Sequence, residues 1–174
     1  MTESITVAER GTDITFTYAD MMRYHGPHSP AGVAMAFKVL QRTLALLSPV
    51  TPPDRRSIMI RTAFRGPGAR DGFEAVTRAV SDGRYSVDRT LVGTELGPLR
   101  EDFVFEVALR GSRVTVALRD GFVTEEFVDL ARSERRSADQ EHRLDELKAA
   151  LAATVMASAP DVLFDIEDSV GARE

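Results

Sequence analysis

Two histidines stand three residues apart in a proline-rich loop, and they are the clearest candidates for chemistry in this chain. Residues 24–30 read YHGPHSP. Imidazole is a common metal ligand and the side chain that exchanges protons most readily near neutral pH. Because prolines restrict the backbone, we expect His25 and His28 to be held at fixed angles. The loop therefore predicts either a pair of ligands for a divalent ion or a single general base. A loop whose histidines bond to main-chain carbonyls is the alternative.

Two further residues could complete such a site. Ser29 would act as a nucleophile if either imidazole lay within hydrogen-bonding reach, although no glycine-flanked elbow surrounds it. Asp71 follows a loop with two glycines, which can approach a ligand closely, and it is our candidate third metal ligand beside His25 and His28. Its alternative role is that of an acid near a helix start, where negative charge complements the helix dipole. The ion would be Zn, Fe or Mn.

Arginine is concentrated in one third of the chain. A guanidinium group pairs bidentately with a carboxylate or a phosphate, so these arginines predict the wall of a pocket for a small anionic molecule. A solvated surface is the alternative, because most arginines lie there. Our candidates for substrate contact are Arg61, Arg65 and Arg70. The arginines of this region are Arg55, Arg56, Arg61, Arg65, Arg70, Arg78, Arg84 and Arg89.

The composition excludes several classes of protein. The chain has 174 residues, a net charge of −5 and no cysteine, which rules out disulfides, thiolate metal sites and thiol catalysis. A cysteine-free chain suits a reducing cytoplasm, and the N-terminus lacks a signal-peptide pattern. The longest apolar stretch, 33–47, contains Lys38 and Arg42 and is too short to span a membrane. We therefore expect a cytoplasmic protein with neither a membrane nor a nucleic-acid partner.

Hydrophobic periodicity predicts a single α+β domain in which a mainly antiparallel sheet packs against a long buried helix and further helices. Residues 31–47 are apolar on most sides at helical spacing, so this helix should be buried. Alternation at 103–109 and 114–118 predicts a hairpin lying on it, with a turn at Gly111-Ser112. The other predicted elements are a hairpin within 1–18, a helix at 19–24, a strand at 57–64, a helix at 70–81, a strand at 85–92, helices starting at Thr124 and Ser137, and an edge strand at 162–166.

The loop and the helix after it resemble a known family. Residues 24–31, YHGPHSPA, followed by an alanine-rich helix, look like the signature of the FmdE-like formylmethanofuran dehydrogenase family, which carries His-Gly-His-x-Cys-Pro-Gly in this context. The similarity covers residues 19–135 as a pattern of elements. The family's second histidine falls on Pro27 and its cysteine on Ser29, so a site here would use nitrogen and oxygen ligands. The residues that carry over from the family pattern are His25, Gly26, Pro30, Asp71 and Thr77.

The resemblance implies further features. It adds Tyr24 and Thr77 to the predicted substrate contacts, and it implies a homodimer to which the apolar segment 162–166 would contribute. The chain then divides into an N-terminal hairpin extension (1–18), a core similar to the family (19–135), a C-terminal helix with a short strand (136–166) and a tail predicted to be disordered (167–174).

Three hypotheses on function follow. The first is a small-molecule enzyme of the lyase or hydrolase type, in which a divalent ion held by the histidine loop polarises an anionic substrate. The second is an enzyme without a metal, with His25 or His28 as the acid/base. The third is a non-catalytic module for ligand binding or assembly, descended from a metal-binding domain.

Overall fold

Two sheets and six α-helices make up residues 2–171, the part of the chain that the computed structural model describes. The strands are β1 (Ser4–Glu9), β2 (Thr12–Thr17), β3 (Ile58–Thr62), β4 (Tyr85–Val87), β5 (Val104–Leu109), β6 (Ser112–Leu118) and β7 (Phe164–Val170). The helices are α1 (Tyr18–His25), α2 (Pro30–Leu47), α3 (Pro67–Thr77), α4 (Glu125–Arg132), α5 (Ala138–Ala157) and α6 (Pro160–Leu163). Among these residues, no helix is both long enough and apolar enough to cross a membrane.

The larger sheet has the strand order β4-β3-β5-β6-β7. β3 and β4 are parallel, and every other neighbouring pair is antiparallel. β1 and β2 form a separate antiparallel hairpin. The predicted α+β fold with a mainly antiparallel sheet is therefore confirmed.

Helix α2 lies at the centre of the molecule. Proline occupies its first turn, where the missing N–H removes no helical hydrogen bond. Its apolar residues, such as Phe37 and Leu40, are buried against the sheet and against α3 and α5. Even Lys38 is fully buried, with its Nζ 2.5 Å from Oε2 of Glu3. The helix is thus covered on nearly all sides, as its sequence predicts.

The starts of α2 and α3 lie against each other. A Cβ on Gly32 would stand 2.8 Å from the backbone nitrogen of Ala69, and a Cβ on Gly68 would collide with the Ser29 carbonyl oxygen. Neither position has room for a side chain, so glycine permits the close approach of the two helix ends. This contact brings the loop before α2 beside the loop before α3.

The structure corrects several predicted boundaries. Residues 167–170, predicted as disordered, belong to β7, which begins at 164 instead of 162 and pairs with β6 as far as Arg113↔Val170; residues 172–174 lie outside the described part. Helix α3 begins at Pro67 and ends at Thr77, because Arg78 is left-handed at φ 58°. The turn after β5 is Arg110-Gly111, with φ of 51° and 84°, so its glycine comes second. β4 ends at Val87, five residues before the predicted end.

Candidate functional site

A cavity of about 710 Å³ opens beside the paired helix starts. Part of its lining comes from the start of α2 and the loop leading into α3, and part comes from α4 and α5. The segment 89–103 supplies a third part. A cavity of this size suits a small organic ligand.

Positive charge predominates in the cavity lining. Five arginine or lysine residues line it against two acids, in a chain whose net charge is −5. The cations are Arg65, Arg89, Arg132, Arg136 and Lys148, and the acids are Glu101 and Asp102. The cavity therefore concentrates cationic groups that the protein as a whole does not have in excess.

Three of the five cations are compensated by neighbouring groups. Arg89 lies 2.9 Å from Asp102, and Arg132 lies 3.4 Å from Glu101. Arg136 pairs with Glu141 and donates to the carbonyls of residues 130 and 133. These ion pairs connect α4 and the start of α5 to their surroundings, and they neutralise the charges of these three arginines.

The other two cations lie close to the helix starts. Within residues 2–171 the structure records no hydrogen bond or ion pair for the Arg65 guanidinium, and Lys148 makes one long contact, 3.4 Å from Nζ to the His28 carbonyl. The first N–H groups of a helix lack partners within the helix and carry partial positive charge. The free positive charge of the cavity is therefore concentrated where α2 and α3 begin.

Hydrophobic side chains form the rest of the lining. The rings of Phe64 and Phe103 pack with centroids 4.8 Å apart and an angle of 38° between their planes, and Phe127 contributes a partly exposed ring from α4. Met35, Leu144 and Leu151 form the floor from α2 and α5. The cavity lining thus combines cationic groups with apolar side chains.

His25 holds the loop in place through both of its ring nitrogens. Its Nδ1 lies 2.8 Å from Asp71 Oδ2, and the Ser29 backbone N–H donates to its Nε2 across 3.1 Å. Since Nε2 accepts this bond, the proton is on Nδ1 and is donated to Asp71. The side chain is only 5% exposed and does not line the cavity. The alternative of a bonded histidine is thus realised, but with an amide N–H and a carboxylate in place of carbonyls.

His28 differs from His25 in its exposure, in its hydrogen bonding and in its position at the cavity. It is exposed and lines the cavity beside Ser29. In the described part of the chain no hydrogen bond is recorded for its ring or for the Ser29 hydroxyl, which makes no cap to the helix. The two imidazoles therefore do not face a common cavity.

The predicted metal ligands are brought together only in part. His25 and Asp71 are adjacent, whereas His28 lies on the cavity side of the loop. Across residues 2–171, no group of three or more His, Asp or Glu side chains is placed to hold a metal ion. In a site for Zn, Fe or Mn built from His25, His28 and Asp71, His25 would have to give up at least one of its two hydrogen bonds.

Among the predicted substrate contacts, only Arg65 lines the cavity. Arg61 is held by Asp88 at 2.6 Å and Glu106 at 2.9 Å, and Arg70 is next to Asp71 at 3.3 Å. Thr77 is buried and donates to the Phe73 carbonyl, and Tyr24 is exposed away from the cavity. These four side chains have structural or surface positions.

Sequence reasoning missed the cations from the C-terminal half. Arg132, Arg136 and Lys148 reach the cavity from α4, α5 and the segment between them. The run RSERR at 132–136 is a local signal of positive charge, and clustered charge of one sign attracts a ligand of the opposite sign. Because this run lies about a hundred residues from the histidine loop, the sequence does not indicate that both line one cavity.

No protein-family model matches the sequence, and no curated protein matches it. The resemblance to the FmdE-like formylmethanofuran dehydrogenase family therefore stays a prediction that rests on the histidine loop and the order of the elements.

Proposed function

We propose that this protein binds a small anionic molecule in the cavity between α2, α3, α4 and α5. The observation that supports this most directly is the excess of positive charge in the lining of a cavity that belongs to an acidic chain. Positive charges that line a cleft with low-dielectric walls attract an anionic ligand from a distance and stabilise it once it is bound. This is the binding-module hypothesis, and it needs no rearrangement of the histidine loop.

Arg65 is the principal contact in this proposal. Its guanidinium has no recorded partner within residues 2–171 and lies in the loop that opens α3. A planar guanidinium can donate two parallel hydrogen bonds to a carboxylate or phosphate. Lys148 lines the same cavity from α5 and supplies a second charge.

Anion titrations of purified protein test the proposal. Isothermal calorimetry with phosphate and with acetate should show binding that weakens as ionic strength rises, because salt screens the attraction. Arg65→Gln and the double variant Arg65→Gln/Lys148→Gln should weaken binding at least tenfold. Arg119→Gln removes the same charge from an exposed arginine paired with Asp165 and should bind as the wild type does. Equal binding by all four proteins would overturn the proposal.

A second candidate function uses the same cavity for acid/base catalysis. The supporting observation is that His28, unlike His25, has a free ring beside the unbonded Ser29 hydroxyl at the cavity, among the residues that the structure describes. A neutral imidazole there could accept a proton from a bound substrate or from water, which corresponds to the metal-free hypothesis with His28 as the base. The hypothesis of a metal-dependent lyase or hydrolase has less support, because both nitrogens of His25 are already bonded.

A screen of carboxylic and phosphate esters separates binding from catalysis. Turnover that His28→Ala abolishes would support the second candidate, provided that anion affinity is retained. His142→Ala is the matched control, since His142 is an exposed histidine on α5 outside the lining. Turnover that survives His28→Ala would exclude this residue as the base.

A further inference from the structure

We infer that the ligand is amphipathic, with a single anionic group at one end and a hydrocarbon chain or ring at the other. This inference rests on the proposed function and specifies its ligand class. It follows from the lining, which combines two cations that lack a close acidic partner with partly exposed apolar side chains.

The anionic group belongs at the helix starts. Arg65 and Lys148 are the lining cations without a close acidic partner in the described chain, and both lie beside the first turns of α2 or α3. A carboxylate or phosphate placed there would meet two side-chain charges and the partial charge of two helix ends. The position is fixed by three separate elements, α2, α3 and α5.

Beyond Arg65 and Lys148, a second anionic group would find no cation in the described lining that is free of an acidic partner. Of the other lining cations, Arg89 is bound by Asp102, Arg132 by Glu101 and Arg136 by Glu141. A polyanion such as citrate or pyrophosphate would have to compete with these fixed acids, or lie against them. Like charges in close contact are unfavourable, so the cavity should prefer one negative charge to three.

The remaining surface is suited to hydrocarbon. Phe64, Phe127 and Leu99 are partly exposed in the lining, and Met35, Leu144 and Leu151 lie behind them. Apolar surface that stays accessible in a cavity gains free energy when a ligand covers it.

A homologous series of carboxylates tests the inference. Acetate, hexanoate and octanoate, each kept below its micelle concentration, should bind with affinity rising by about twofold to fourfold for each added methylene that is buried. Hexanol and hexyltrimethylammonium present the same chain without the negative charge and should bind at least tenfold more weakly than hexanoate. Citrate and pyrophosphate should bind more weakly than octanoate.

Two variants separate the ends of the ligand. Phe127→Ala should flatten the dependence of affinity on chain length, and Phe127→Leu should restore most of that dependence. Arg65→Gln should remove the discrimination between hexanoate and hexanol. Melting curves and circular dichroism establish that each variant is folded before its affinity is compared.

The titrations distinguish a wrong ligand class from an absence of anion binding. Affinity that is independent of chain length, or greater for citrate than for octanoate, would overturn the amphipathic ligand and leave anion binding in place. If no anion in the set binds at low salt, both the inference and the proposed function are wrong. Equal binding of hexanol and hexanoate would show a merely apolar cleft and would also overturn both.

Discussion

The imidazole of His25 lies between Asp71 and the Ser29 amide, which belong to different parts of the fold. Asp71 is on α3 and Ser29 immediately precedes α2, so one buried side chain connects the end of α1 with both. His28 is also a histidine and lies three positions later, but its ring makes neither of these bonds. The two residues therefore separate into a structural histidine and an accessible one.

Replacing each histidine in turn should show this difference in stability. His25→Ala should lower the free energy of unfolding by about 2 kcal/mol, because it leaves the Ser29 N–H and the Asp71 carboxylate without their partner. His28→Ala should change it by less than about 0.5 kcal/mol, as is usual for an exposed side chain. Urea unfolding at pH 7.5 measures both. Equal losses would contradict the structural role of His25.

The ion pairs of Arg61 predict a dependence of stability on pH. Hydrogen bonds from Thr90, followed by those from Arg61, lower the pKa of Asp88 to about 2. Because the folded pKa lies below the ordinary value of about 4, the charged carboxylate stabilises the fold above that value. This contribution is lost as pH falls through the window from about 4 to about 2.

Asp88→Asn checks this prediction directly. The difference in unfolding free energy between wild type and variant should be largest at pH 5 and should shrink steadily towards pH 2.5. Asp120→Asn, at an 85% exposed carboxylate, is the matched control. A difference that is constant over this range would contradict the lowered pKa of Asp88.

At the scale of elements, the contact between the starts of α2 and α3 determines the shape of the cavity. Ser29, Gly32 and Gly68 all line it, and the two glycines lie where a Cβ would strike the opposing backbone. Backbone cannot move aside as the end of a flexible side chain can. The spacing of the two helices is therefore set at these positions.

Gly68→Ala should separate the helix starts. We expect a loss of about 1–3 kcal/mol in unfolding free energy from overpacking, together with weaker anion binding because Arg65 moves with the loop. Gly171→Ala, where a Cβ would meet open space, should leave both quantities unchanged. Thermal unfolding and calorimetry measure the two effects, and an unaltered Gly68→Ala protein would contradict the close approach.

Elements with strong local signals were predictable, and those that depend on distant partners were not. The apolar pattern of α2 and the capping box at Ser137 with Gln140 lie within one or a few turns of sequence. β7 was missed beyond 166 because its acids resemble a solvated tail. Arg119 and Arg113 pair with Asp165 and Asp168, and these partners lie about fifty residues away.

The same limit applies to the candidate site. The loop itself and Arg65 could be found from the sequence, because prolines, histidines and a basic run are local features. The bond from His25 to Asp71 joins residues 46 positions apart, and Lys148 is 120 positions from His28. Periodicity contains no information on which of two neighbouring histidines turns inward.

At the scale of the whole molecule, β7 leaves one edge of the larger sheet without a neighbouring strand among the described residues. Ile166 and Val170 are exposed along it, and Val162 is exposed on α6, just before this strand. Unpaired edges with apolar residues readily accept another strand. The homodimer that the family resemblance implies stays a proposal, and this edge is its most suitable surface.

Light scattering coupled to size exclusion tests that proposal. We expect a dimer at micromolar concentration, and Ile166→Lys should shift the protein to monomer by placing a charge on the edge. Val50→Lys, at an exposed position in the loop after α2, is the control and should stay dimeric. A wild type that is monomeric at all concentrations would rule out the dimer.

The ammonium group of Lys38 has a consequence for the first residues of the chain. It is fully enclosed at the centre of α2, and its recorded acidic partner is Glu3, just before β1. A truncation that removes Glu3 would leave the buried ammonium group of Lys38 without its acidic partner. An unpaired charge inside a protein is strongly unfavourable. The N-terminal segment therefore contributes to the stability of the fold, and shortened forms of the protein should keep residue 3.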